Sequence, residues 1–159
     1  MSEAAAEGEM AGTIEVGRRS WPRSTVGERM GQAVILAILL GGVGLGMALT
    51  PAPEGHGTHE QLGLPPCGMM VATGRPCPTC GVTTAYALAA HGRFTDALVT
   101  QPFGLACFVL TVAGAVTLVA ALAARRSLLP LVTTYGVAAP AVAMLLLALA
   151  SWAYTWWTM

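Results

Sequence analysis

The sequence predicts an all-α membrane protein with about three transmembrane helices and one or two short interfacial helices in a cysteine-containing loop. Composition is the first reason. Of 159 residues, 55% are apolar and 10% charged, and the mean hydropathy is +0.64. A soluble globule carries about a quarter charged residues, so this chain cannot cover a water-facing surface unless lipid covers most of it. Second, the apolar residues gather into long charge-free runs without the alternation a membrane barrel requires. Third, Trp152, Tyr154, Trp156 and Trp157 crowd the C-terminus, and amphipathic rings concentrate where hydrocarbon meets water.

Residues 1–29 are polar, rich in Ala, Gly and Glu, and lack an apolar face, which predicts a disordered cytoplasmic tail before a membrane domain over 30–159. No charge occurs from Met30 to Pro53, and the core Ala33 to Leu49 is long enough to cross the hydrocarbon layer, giving a first span at about 31–50. Gly42 and Gly46 form a small-xxx-small pair that lets a neighbour approach closely, although glycine is common in membrane helices generally. A second span at about 103–124 is closed by Arg125-Arg126, and a third lies at about 131–152. Each satisfies its own backbone, which lipid demands. Pro140 inside the third removes a donor and predicts a kink.

Arginine placement sets the orientation, because positive flanks stay cytoplasmic. Arg18, Arg19, Arg23 and Arg29 precede the first span, and Arg125 and Arg126 separate the second from the third, so three spans put both clusters on one side. The expectation is a multi-pass inner-membrane protein with a cytoplasmic N-terminus, an outward loop at 51–102 and an outside C-terminus. A cleaved signal peptide is the rival for the first span, but its basic region would be unusually long and Pro51 sits awkwardly at the cleavage site. The loop faces outward either way.

That loop carries Pro65-Pro66-Cys67-Gly68 and Arg75-Pro76-Cys77-Pro78-Thr79-Cys80-Gly81. The C-x-x-C spacing brings two sulfurs close enough to share a metal or form a disulfide. Pro78 stiffens the turn, and Gly81 can take positive φ, freeing amides to point at the sulfurs. Three readings stay open. Cys67, Cys77 and Cys80 with one of His56, His59 or His91 can bind zinc. Cys77 and Cys80 can form a structural disulfide in an oxidising compartment, leaving Cys67 over. If Val82 to Ala90 is a helix, Cys80 near its start gains thiolate character suited to thiol exchange, though no βαβ pattern accompanies it. Cys107, within the second span, reads as a packing residue. Val82–Ala90 is too short to span and belongs at the interface. Thr95 is expected to cap a second short helix through Asp96, with Arg93 pairing to Asp96, and Pro102 opens the next membrane helix.

The string Cys77-Pro78-Thr79-Cys80-Gly81-Val82-Thr83-Thr84-Ala85, preceded by Pro66-Cys67 and Thr73-Gly74, resembles the bacterial membrane family called domain of unknown function 2752. Gly92, Ala97 and Gln101-Pro102-Phe103-Gly104 extend the resemblance, which covers about residues 62–124. The family usually has Arg where this chain has Thr84. The resemblance implies a multi-span protein without an established activity.

No lysine is present and the net charge is zero, so a nucleic-acid surface is excluded. No Ser-His-Asp set, phosphate loop or carboxylate pair occurs, and no ionisable residue lies inside a span, which argues against a proton-coupled carrier. The expectation is a non-enzymatic accessory or structural protein whose partners are the bilayer and another membrane or envelope protein. The alternative is a zinc-binding or thiol-redox protein using Cys67, Cys77 and Cys80.

Overall fold

The computed structural model describes residues 22–129, 133 and 136–158. Most of the expected tail, and several residues of the expected third span, lie outside the described residues. Among the described residues the protein is all-helical apart from one isolated antiparallel bridge between Arg23 and Arg126. Three helices, Val26–Ala48, Pro102–Ala123 and Ala138–Thr158, are long and apolar enough to cross a membrane.

Helix α1 (Val26–Ala48) starts at a capping box: Thr25 Oγ1 accepts from Glu28 N at 3.2 Å and a Glu28 carboxylate oxygen accepts from Thr25 N at 2.7 Å. The cap places Arg29, expected in the tail, within the helix. After α1 the chain passes through a 3-10 turn (Thr58–Leu62) and the short helices α2 (Gly68–Thr73), α3 (Val82–Ala90) and α4 (Phe94–Thr100). Arg93, not Thr95, is the N-cap of α4, and it pairs with Asp96 at 2.7 Å. Helix α5 (Pro102–Ala123) opens on Pro102, where a missing N–H costs nothing. Helix α6 (Ala138–Thr158) ends the described chain. Pro140 therefore lies in the first turn of α6 and interrupts no helical hydrogen bond, which corrects the expected mid-span kink.

Helix α3 wedges between α1 and α5. A Cβ on Gly104 of α5 would sit 2.7 Å from the Val82 carbonyl oxygen and 2.8 Å from Ala85 Cβ, so only glycine permits this approach. On α1, a Cβ on Gly46 would meet the Tyr86 ring at 2.9 Å. The small core Ala85, Leu88, Ala89 and Ala97 packs against Leu105 and Phe108, with Tyr86 edge-on to Phe108 at 5.3 Å. Outside this core the long helices turn apolar side chains outward, among them Ile35, Ile38, Val109, Val116, Leu145 and Leu146. That is the inverse of a soluble fold and matches a lipid surround.

The two ends of the bundle differ. At one, Ser24 N donates to Arg125 O and Ser127 N to Pro22 O, both at 3.0 Å, while Gln32 Nε2 donates to Arg126 O at 3.2 Å. This seam holds Arg23, Arg125 and Arg126 together. The cysteine loop and the tryptophans of α6 occupy the other end, where Trp152 Nε1 donates to Pro76 O at 3.1 Å.

Candidate functional site

The site is built from two turns. In the first, Pro65-Pro66 leads into Cys67, the N-cap residue of α2. In the second, Cys80 N donates to Cys77 O at 3.0 Å and Val82 N to Thr79 O at 3.2 Å, so the C-P-T-C segment closes on itself. Gly81 then turns the chain into α3 with φ of 82°, the left-handed conformation that glycine adopts without strain.

These turns bring Cys67, Cys77 and Cys80 together, with their three sulfurs all within 4.8 Å of one another. Zinc–sulfur bonds of about 2.3 Å place tetrahedral sulfurs about 3.8 Å apart, so a small inward shift makes a metal-binding face. All four cysteines are free thiols, and Cys107 is not in the cluster. Among the described residues no histidine belongs to the convergent group. His56 and His59 instead line the same cleft of about 470 Å³ as the cysteines. Each already has one ring nitrogen on a backbone carbonyl: His56 Nδ1 on Glu54 O at 2.9 Å and His59 Nε2 on Pro65 O at 3.2 Å. His91 lies elsewhere, with Nδ1 on Ala87 O at 2.8 Å.

The three thiols are chemically unlike. A hydrogen bond from the Met70 amide, outweighing burial and aided by the neighbouring thiols, holds Cys67 down to about 7. Burial pushes Cys80 up to about 12, with the neighbouring thiols adding to the rise. Cys80 is only 6% exposed, whereas Cys67 and Cys77 are half-buried and Cys77 Sγ lies 3.3 Å from Thr79 Oγ1.

Polar side chains from the membrane helices clamp the turn. Trp152 of α6 holds the Pro76 carbonyl, and the Arg75 guanidinium stacks 5.1 Å from the Trp156 ring centroid. Gln101, fully buried at the start of α5, donates to Cys80 O at 3.5 Å and accepts from Phe103 N at 3.3 Å and from Ser151 Oγ of α6. Thr58 and Thr84, both buried, share a hydrogen bond of 2.8 Å that fixes the 3-10 turn to α3. Thr84 thus spends its hydroxyl on the loop at the position where the resembled family usually has Arg.

Sequence reasoning brought out the cysteines and missed Gln101, Ser151 and Thr58. A signal for two of them existed. Ser151 is a polar residue in an apolar helix, which in lipid should face a protein partner, and Gln101 directly precedes a helix-opening proline. The tryptophans, read as an interface belt, divide: Trp152 and Trp156 grip the loop, while Trp157 is 86% exposed.

No curated protein and no solved structure matches the chain. Residues 65–115, from the first of the two prolines before Cys67 to just past the middle of α5, match the family model described as protein of unknown function, DUF2752.

Proposed function

We propose that this chain, a DUF2752 protein by its residues 65–115, is a non-enzymatic membrane protein whose loop is fastened by zinc on Cys67, Cys77 and Cys80. The observation that carries the reading is the convergence of three sulfurs from two separate turns within 4.8 Å. A disulfide needs two sulfurs and leaves the third idle, whereas a soft divalent cation uses all of them. His59 supplies the fourth ligand in this reading, because the carbonyl that orients its ring belongs to Pro65, beside the Cys67 turn. A backbone carbonyl on the distal ring nitrogen is the usual way a ligating imidazole is held.

The arginine seam is cytoplasmic and the zinc loop faces outward, with the C-terminus on the same outer side, in the inner membrane of a bacterium. The loop then presents a rigid surface to another membrane or envelope protein. Metal analysis of the protein purified in mild detergent tests the zinc. One zinc per chain, lost in Cys77→Ser, is expected, and metal-free protein in which Cys67, Cys77 and Cys80 all titrate as free thiols refutes the reading.

A second reading rests on the contrast between Cys67, held near 7, and Cys80, near 12. An accessible thiolate beside further thiols suits thiol–disulfide exchange. Alkylation with and without reductant separates this reading from the zinc one, since zinc on the three thiolates leaves no reducible bridge among these cysteines.

A further inference from the structure

The cysteine cleft does not stop at the loop. It runs on into an apolar groove of about 390 Å³ between α1, α3 and α5, and Val82 and Thr83 line both. Each volume is typical of a small-molecule pocket, about 300–1,000 Å³. Ile38 and Leu45, which line the groove, are exposed on the outer face of α1, so the groove opens toward lipid.

Three hydroxyls break its apolar lining, of which that of Thr111 is already spent on Cys107 O at 2.8 Å, leaving those of Thr83 and Tyr86. Thr83 sits at the junction with the cleft, and Tyr86 lies beside Gly42, whose Cβ position is 3.5 Å from the phenolic oxygen. Neither hydroxyl has a hydrogen-bond partner among the described residues. A hydroxyl facing hydrocarbon without an acceptor is costly, so an occupant with acceptors at this depth is favoured. Beyond the junction, among the described residues, His56 and His59 are the cleft's only basic side chains and Glu60 is its only carboxylate.

We infer that groove and cleft together bind one bilayer phospholipid with a zwitterionic head. One acyl chain fills the groove, the ester carbonyls accept from Thr83 and Tyr86, and the phosphate and ammonium face His56 and Glu60. A helix from a second copy would fill the groove equally well, yet its apolar surface leaves both hydroxyls and the charged end unanswered. A lipid bearing chain, ester and zwitterion in that order answers all three. The lipid contacts invoked are hydroxyls, an imidazole and a carboxylate rather than the cysteines that line the same cleft, so the binding needs no metal.

The full chain, delipidated in detergent, is titrated with phosphatidylethanolamine, phosphatidylglycerol and diacylglycerol of identical chains, and adducts are read by native mass spectrometry. A one-to-one phosphatidylethanolamine adduct is expected, about tenfold tighter than diacylglycerol and severalfold tighter than phosphatidylglycerol. Gly42→Leu, which fills the groove, should lose about tenfold, and Thr83→Val severalfold. If Gly42→Leu misfolds by circular dichroism, Gly42→Ala, whose Cβ meets Tyr86 at an ordinary distance, must show a loss in the same direction. Cys77→Ser should lose zinc and keep the lipid, so the two readings fail separately. Equal retention of all three lipids, which marks annular lipid only, overturns the inference. Preference for phosphatidylglycerol, or parent affinity in both glycine variants, does so too.

Discussion

Cys67 and Cys80 sit in one cluster with opposite acid–base character, and that contrast controls how the site meets a metal. Zinc binds thiolates, so each thiol that is protonated before binding must release a proton. Cys80, near 12, is protonated throughout the neutral range and costs about tenfold in apparent affinity per pH unit lowered. Cys67, near 7, is largely ionised above neutrality and adds its own tenfold per unit only below about pH 7. Zinc affinity followed by a competing chelator should therefore fall with pH, and fall more steeply below 7 than above. In metal-free protein, alkylation at pH 7 should modify Cys67 first and Cys80 last. Gln101 is the other decisive residue. Gln101→Leu strands the Cys80 carbonyl and takes the acceptor from the Ser151 hydroxyl, while Phe103 N–H keeps Ser151 Oγ at 3.2 Å, and should cost about 1–3 kcal/mol per buried group left unpaired. Thermal unfolding in detergent checks this, and reduced zinc affinity should accompany it.

Among the elements, the junction of α3 and α5 tolerates least. A methyl at Gly104 meets a backbone carbonyl that cannot rotate away, so Gly104→Ala should destabilise by about 1–3 kcal/mol. Gly41→Ala, with nothing within 4 Å, serves as the neutral comparison in the same melting experiment. Pro140→Ala should shift stability by less than about 0.5 kcal/mol, because a first-turn proline supplies no helical hydrogen bond to restore. Helix α3 was legible in the sequence from Gly81 and the apolar run after it, and α5 from Pro102. The beginning of α6 was not. Hydropathy continues through Leu131 without a break, whereas Gly136, at φ of 67°, sets a turn just before the helix. The cysteine cluster was half legible. Spacing brought Cys77 and Cys80 together, but Cys67 arrives through the Pro65-Pro66 turn and α2, whose path depends on contacts distant in sequence.

For the whole molecule, the arginine seam and the cysteine loop occupy opposite ends, with three apolar helices between them. Reporter fusions at the two termini should land on opposite faces of the bilayer, the N-terminal one inside. The same result on both faces would contradict an odd number of spans. The overall plan was readable because lipid imposes so few solutions on an apolar chain. What escaped was how the third helix returns to the loop, since Ser151 and Trp152 act through partners far away in the chain.

The attachment of α6 to the cysteine turn also implies an order of birth. The ribosome delivers α1 through α5 before α6, and the seam from Pro22 to Ser127 can zip α1 and α5 into a hairpin before α6 emerges. Helix α6, which leaves the translocon after them, brings Ser151 and Trp152. The thiols are thus made early and locked late, and a nascent chain stalled before Ala138 would be a membrane hairpin with its cysteines still loose.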